Sequence, residues 1–133
     1  MKIDPNLIRE GDFRFETGHR ITKDLLLRRV RPTALSASSG MIALGAIKAL
    51  EETQLNCPQD IAIAVFVDLP LADVYRPHLT AVAQPAYEIG YKGAEILIQR
   101  VEGQSTTPSP VHIRLEPELK IRESTTGARP SHT

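Results

Sequence analysis

The chain has 133 residues, the length of one ordinary domain, so a second full domain does not fit. Its 16 Lys and Arg balance 16 Asp and Glu, leaving no overall attraction to phosphate backbones or anionic lipid. Hydrophobic residues reach 41% but aromatics only 5%, with no Trp, so the core is expected to be aliphatic and Ala-rich. The lone Cys57 excludes an internal disulfide, the opening MKIDPNLIRE lacks the apolar run of a signal peptide, and no stretch is long enough to span a bilayer. A cytoplasmic protein is expected.

Asp4-Pro5 leads into a short strand at residues 7–9, closed by the turn-forming pair Gly11-Asp12. A helix is expected over 15–29, with Gly18, Ile21, Leu25 and Leu26 on one face and Arg20, Lys23, Asp24 and Arg28 opposite. Arg28, Arg29 and Arg31 cluster at its end. They suit an anion patch, but cations there also complement the negative end of the helix dipole, and that plainer reading is preferred. After Pro32-Thr33 comes a buried strand at 34–37, then Ser38-Ser39-Gly40 with hydroxyls suited to capping a helix over 41–53. Met41, Leu44, Gly45, Ile47 and Leu50 spread around so much of that helix that two packed faces are expected.

The unbroken run IAIAVFV at 61–67 reads as a central strand covered on both sides. A Pro-containing loop at 68–79 follows, then a strand at 80–83 and a third helix over 86–101, ended by Gly103. Strand candidates at 111–115 and 119–122 flank Pro117, and the chain after Ser124 reads as a loose tail. Strand–helix–strand alternation predicts an α/β fold with a largely parallel sheet. Ligands of such sheets bind at the carboxyl ends of the strands, which here places Phe13, Ser38, Ser39 and Asp68 at the candidate site.

Catalysis finds no support. His19, His78, His112 and His132 match no metal-ligand spacing, SASSG is not a nucleophile elbow, and Cys57 has no activating neighbour. No enzyme activity, metal or cofactor is expected.

Six ordered motifs carry a resemblance: REGDF-x-FE-x-G (9–18), RPTAL-x-AS (31–38), MIALGAIKAL (41–50), P-x-DIAIAVF-x-D-x-PLA (58–72), RPHLTAV-x-QPAYEIG (76–90) and ELKIREST (118–125). Together they resemble the C-terminal part of transcriptional regulators of the lactose-repressor/galactose-repressor family. The resemblance implies a type I periplasmic-binding-protein-like C-terminal subdomain, incomplete relative to the family. Residues 1–125 would form a partial effector-binding and dimerisation domain, and 126–133 a disordered tail. The helix over 86–101 resembles the segment crossing back to the other subdomain. The helix-turn-helix head, the hinge and the family's first strand, between those at 7–9 and 34–37, would precede Met1. The strand at 7–9 and the helix over 15–29 are therefore expected to be poorly anchored.

The resemblance also assigns residues. Phe13 matches the ligand-stacking aromatic and Gln84 the glutamine of the strand-to-crossover connection. Ser39 and Asp68 fall at effector-contacting positions, where Ser39-Gly40 replaces Asn-Asp and Val67-Asp68 replaces two consecutive acids. Leu44, Ile47 and Tyr75 resemble dimer-contact positions. The expected function is that of a truncated regulator, homodimeric, with a sugar-like effector bound weakly and DNA reached only through a missing or partner domain. A DNA-independent small-molecule binding module and a non-functional gene fragment are the alternatives.

Overall fold

The computed structural model describes residues 4–69, 74, 76–103 and 110–127. The apolar run after Asp60 supplies β2 (Ala62–Val65), the second strand of a four-stranded sheet in chain order. β1 (Ala34–Ala37) and β2 run parallel with Ala34 opposite Ala62 and Ala37 opposite Val65. β3 (Thr80–Ala83) extends the parallel set, and β4 (Glu118–Lys120) closes it antiparallel, pairing Lys120 with Ala81. Ile61, Ile63, Val65, Leu79 and Ala81 form the sheet's share of the core, and Ile63 is completely buried.

One helix is layered against this sheet and a second lies on the first. α2 (Gly40–Glu52) turns Ala43, Ala46 and Leu50 to the core, and its small side chains hold it close. α1 (Phe15–Leu26) lies on α2 rather than on the sheet, through a glycine contact. A Cβ on Gly18 would overlap the backbone of Ile42, and one on Gly45 would overlap the Phe15 carbonyl. The apolar breadth of α2 thus has two local causes, the sheet and α1. A third side, with Leu44 and Ile47 half-buried and Met41 48% exposed, remains open beside the Lys48–Glu51 ion pair.

Several expectations are corrected. Residues 7–9 are not a strand. Pro5–Leu7 is a 3-10 turn whose Asn6 N–H bonds the Asp4 carboxylate, and Arg9 donates to the Asn6 and Ile8 carbonyls. No strand lies beside this segment among the described residues, and without a ladder the backbone bonds locally. Its residues are exposed throughout, as expected of a poorly anchored segment, with Arg28 donating to the Asn6 carbonyl. The first helix, by contrast, is well held: Gly18, Thr22, Leu25 and Leu26 are buried. It ends at Leu26, short of 29, and the strand expected over 61–67 is confined to Ala62–Val65.

The chain at 111–115 belongs to no strand. Pro117 lacks the N–H needed to continue a ladder, and β4 begins just after it. β4 stops at Lys120, and Arg122 introduces a 3-10 turn (Glu123–Thr125) that carries the fully buried Ser124. The residue directly before the expected loose tail is therefore part of the core. Residues 128–133 of the expected tail lie outside the described residues.

α3 (Ala86–Val101) has no buried residue and stands apart from the sheet. Its Ile89, Gly93 and Ile96 face Val111, Ile113 and Leu115 across an open cleft of about 340 Å³.

The glycine contact gives the first prediction. Gly45→Ala gains about 1 kcal/mol of helix propensity, but its Cβ meets backbone that cannot move freely, so a net loss of about 1–3 kcal/mol is expected. Gly93→Ala, with nothing within 4 Å of the new Cβ, is expected to be neutral or stabilising by up to about 1 kcal/mol. Urea midpoints of the two variants should move in opposite directions.

Candidate functional site

The carboxyl ends of β1, β2 and β3 bring Ser38-Ser39-Gly40, Phe66-Val67-Asp68 and Gln84 to one end of the sheet. Their side chains do not form a single closed pocket. Phe13 and Ser38 are the expected site residues that share a cavity, a volume of about 570 Å³ bounded by residues 7–13, α1, β1 and α2. Most of its lining is apolar, including Ile21, Leu25, Leu35 and Ile42. Phe13 is 67% exposed at its rim.

Ser39 acts as a cap. Its Oγ accepts from the Ile42 N–H at 3.3 Å, which satisfies one of the orphan donors at the start of α2. Gly40 is buried under Leu69, whose side chain occupies the place a Cβ would take, so an acidic side chain has no room there without moving that leucine. Val67 and Leu69 pack against the core instead of facing a ligand.

Asp68 carries most of the site's electrostatics. Arg122 grips it bidentately, Nη1 to Oδ1 at 2.8 Å and Nη2 to Oδ2 at 3.0 Å, while Lys120 Nζ lies 2.9 Å from Oδ2. Arg122 also donates to the Leu79 carbonyl at 2.8 Å. The Arg122 hydrogen bonds, aided by Lys120 against a smaller burial cost, hold the Asp68 carboxyl at about 2, well below the usual carboxylate range. The same contact raises the Lys120 pKa. Both Asp68 oxygens are thereby engaged, so a sugar hydroxyl would have to compete with these cations for them. Gln84 Nε2 donates to the Phe66 carbonyl at 3.4 Å, close to the limit for such a bond.

Sequence reasoning missed Lys120 and Arg122. Their i, i+2 spacing in the strand candidate at 119–122 was the available signal, since extended chain puts two such cations on one face; β4 itself ends at Lys120, with Arg122 just beyond it. It missed Phe66 as well, 54% exposed beside the site. Tyr75, expected at a dimer contact, lies outside the described residues. Cys57 donates its thiol to the Ser124 carbonyl, and burial pushes its pKa up to about 11, away from reactivity. His19 pairs with Glu52 and His78 with Glu123. Among the described residues no group of three or more His, Cys, Asp or Glu could hold a metal ion, and no helix is long and apolar enough to cross a membrane.

Comparison with known proteins places these features. The periplasmic binding protein-like domain matches residues 3–125. The chain belongs to that family. Within it, the sequence is homologous to the effector-binding core of lactose-repressor-type regulators. It is 37% identical over 102 residues to the HTH-type transcriptional repressor CytR of Escherichia coli (strain K12), covering 77% of this chain and 30% of the repressor. Among solved structures, the complex of the transcriptional regulator CelR with cellobiose superposes with a TM-score of 0.85 at 32% identity, covering 93% of this chain and 37% of that one. The ribose-bound LacI family regulator of Enterococcus faecium gives 0.74 at 28% identity, covering 85% and 40%. The chain spans about a third of the length of the curated relatives it matches. The fold of this family member is an incomplete version of the domain, with a mixed sheet flanked by helices.

The Asp68 cluster predicts a pH dependence. Its folded-state pKa of about 2 lies below the unfolded value, so the ion pair stabilises fully above about pH 4 and is lost as pH falls towards 2. Asp68→Asn is expected to be less stable than the wild type by on the order of 2 kcal/mol at pH 7. Urea unfolding between pH 5 and pH 2 should show that gap closing. A gap that persists at pH 2 would assign Asp68 a non-ionic role.

Proposed function

We propose that the chain serves as a regulatory module of a lactose-repressor-type transcription factor, contributing one wall of an effector cleft and a dimerisation face. The observation that carries this reading is the convergence of the strand ends, with Phe13 and Ser38 on one cavity and Gln84 beside Phe66, in a domain homologous to regulators solved with cellobiose and ribose. In this reading the effector stacks on Phe13 and meets Ser39, Asp68 and Gln84 only to the extent that their present partners release them. DNA contacts are made by another domain or partner, because these residues carry no net positive charge. A cytoplasmic setting and a non-enzymatic role go with it, as the relatives are transcriptional regulators.

Polar chemistry limits the affinity. Val67 offers no acceptor, Gly40 no side chain, and Asp68 is committed to Arg122 and Lys120. Each hydrogen bond a buried hydroxyl fails to make costs about 0.5–1.5 kcal/mol. Cellobiose and ribose are therefore expected to bind with Kd above about 1 mM in calorimetry. Micromolar binding to the unaltered chain would contradict this account of the site.

The open side of α2 is the dimerisation face in this reading, with Leu44 and Ile47 on it. Leu44→Glu places a charge on that face. Sedimentation velocity at tens of micromolar should show the native protein associating through this face and the variant losing that association.

A further inference from the structure

The cavity of about 570 Å³ is a slot running along the outer edge of β1. Residues 7–13 form one wall, the outer edge of β1 the other, and α1 with α2 the floor. The direction of the β1 backbone is fixed by its ladder: the carbonyls of Thr33 and Ala37 bond to Ala62 and Phe66 of the β2 side. Backbone groups alternate sides along a strand, so the N–H and C=O of Ala34 and Ser36 face the slot. No hydrogen bond to a described residue satisfies them there. A small apolar molecule could fill the volume but could not pair with this edge. An extended polypeptide does both.

The same chain carries a strand without a sheet. Residues 111–115 read Val-His-Ile-Arg-Leu, with strict alternation of apolar and polar side chains. Val111 and Ile113 are 50% and 49% exposed. Their pattern matches the edge they would join: Leu35 and Ala37 of β1 turn inward while Ala34 and Ser36 are exposed. Val111, Ile113 and Leu115 would meet the floor of Ile21, Leu25 and Ile42, leaving His112 and Arg114 on the open face.

Geometry forbids this pairing within one molecule. β4 lies at the opposite edge of the sheet, four strand spacings or about 19 Å from the slot. Leu115 is only three residues from Glu118, a reach of about 10 Å at full extension. The strand can come only from another chain.

We propose that the slot beside β1 receives residues 111–115 of a second copy of this chain as an added strand. The exchange is separate from the α2 contact of the proposed function, since neither Leu44 nor Ile47 lines the slot.

Cysteine pairing tests it on the full-length protein. One chain carries Ser36→Cys and the other either His112→Cys or Arg114→Cys, so that a central pairing is trapped in either strand direction. The native protein, with Cys57 alone, is the control. The expected result is a disulfide-linked heterodimer on mixing and mild oxidation, at least tenfold above either variant alone, and its persistence when Leu44→Glu is added to both chains. Loss with Leu44→Glu would tie the crosslink to the α2 face and overturn strand exchange while leaving the α2 dimer standing. Self-linking of the Ser36→Cys chain would mean direct β1-to-β1 pairing, which also overturns the proposal. So would a sedimentation coefficient of a monomer for the oxidised mixture. A second variant guards against misfolding: Ile113→Pro removes an N–H and an apolar side chain from the donor strand but lies outside the sheet. It should abolish the crosslink while keeping the wild-type urea midpoint of the isolated chain.

Discussion

The hydroxyl of Ser124 links the parts of this molecule that would otherwise separate. It donates to the Ile63 carbonyl at 2.6 Å and accepts from the Thr80 N–H at 2.8 Å, bridging β2 and β3 beside the first of their two register pairs. The Ser124 N–H donates to the His78 carbonyl and its own carbonyl accepts the Cys57 thiol. Four polar groups from three regions are thus satisfied around one fully buried residue. Removing the hydroxyl would strand two backbone groups in the core, each costing about 1–3 kcal/mol. Ser124 is therefore closer to a ladder hydrogen bond than to a surface serine.

That anchor sets the electrostatics of the strand ends. With Ser124 fixed, β4 runs antiparallel to β3, and Thr80 Oγ1 accepts from the Arg122 N–H at 2.9 Å. Arg122 and Lys120 then fall within reach of Asp68, and the carboxylate at the end of β2 becomes part of the architecture. Half-buried charges held by a bidentate arginine are costly to separate, since either partner left alone keeps its desolvation penalty. A ligand seeking Asp68 must compete with that pair. In the proposed function, the described residues left for recognition are two exposed phenylalanines, the Ser38 hydroxyl and a weakly held glutamine amide, a set better suited to stacking than to gripping a polyol.

The parts of the fold that were legible are those with a local cause. The apolar run after Asp60, the Ser39 cap and the α2 periodicity each specify their element without help from distant residues. The misread segments depend on partners that sequence does not display. Residues 7–9 and 111–115 have strand-like composition, but a strand exists only where another strand accepts its ladder. Ser124 drew notice only as the residue before an expected tail, because nothing in its neighbours announces a buried hydroxyl. At the site, Phe13 and Asp68 were singled out as strand-end residues. Asp68 does follow β2, but among the described residues no strand precedes Phe13. The clamp on Asp68 crosses 54 residues of chain, with only the spacing of Lys120 and Arg122 to hint at it. The breadth of α2 was read correctly as more than one packed face, although α1 rather than another molecule takes up much of it.

The slot beside β1 persists because of how α1 is held. A helix bound to the sheet would slide towards an empty strand position and close it, burying the apolar floor at little cost. Here α1 is locked to α2 through Gly18 and Gly45, where backbone meets backbone and there is no side chain to repack. Arg28 meanwhile ties the end of α1 to the Asn6 carbonyl, so residues 7–13 are suspended across the gap at a distance set by the helices. The edge of β1 stays open for reasons unrelated to β1 itself. An edge held open in this way cannot be silenced by local collapse, and its unpaired backbone groups are left with two partners to choose from, water or another strand.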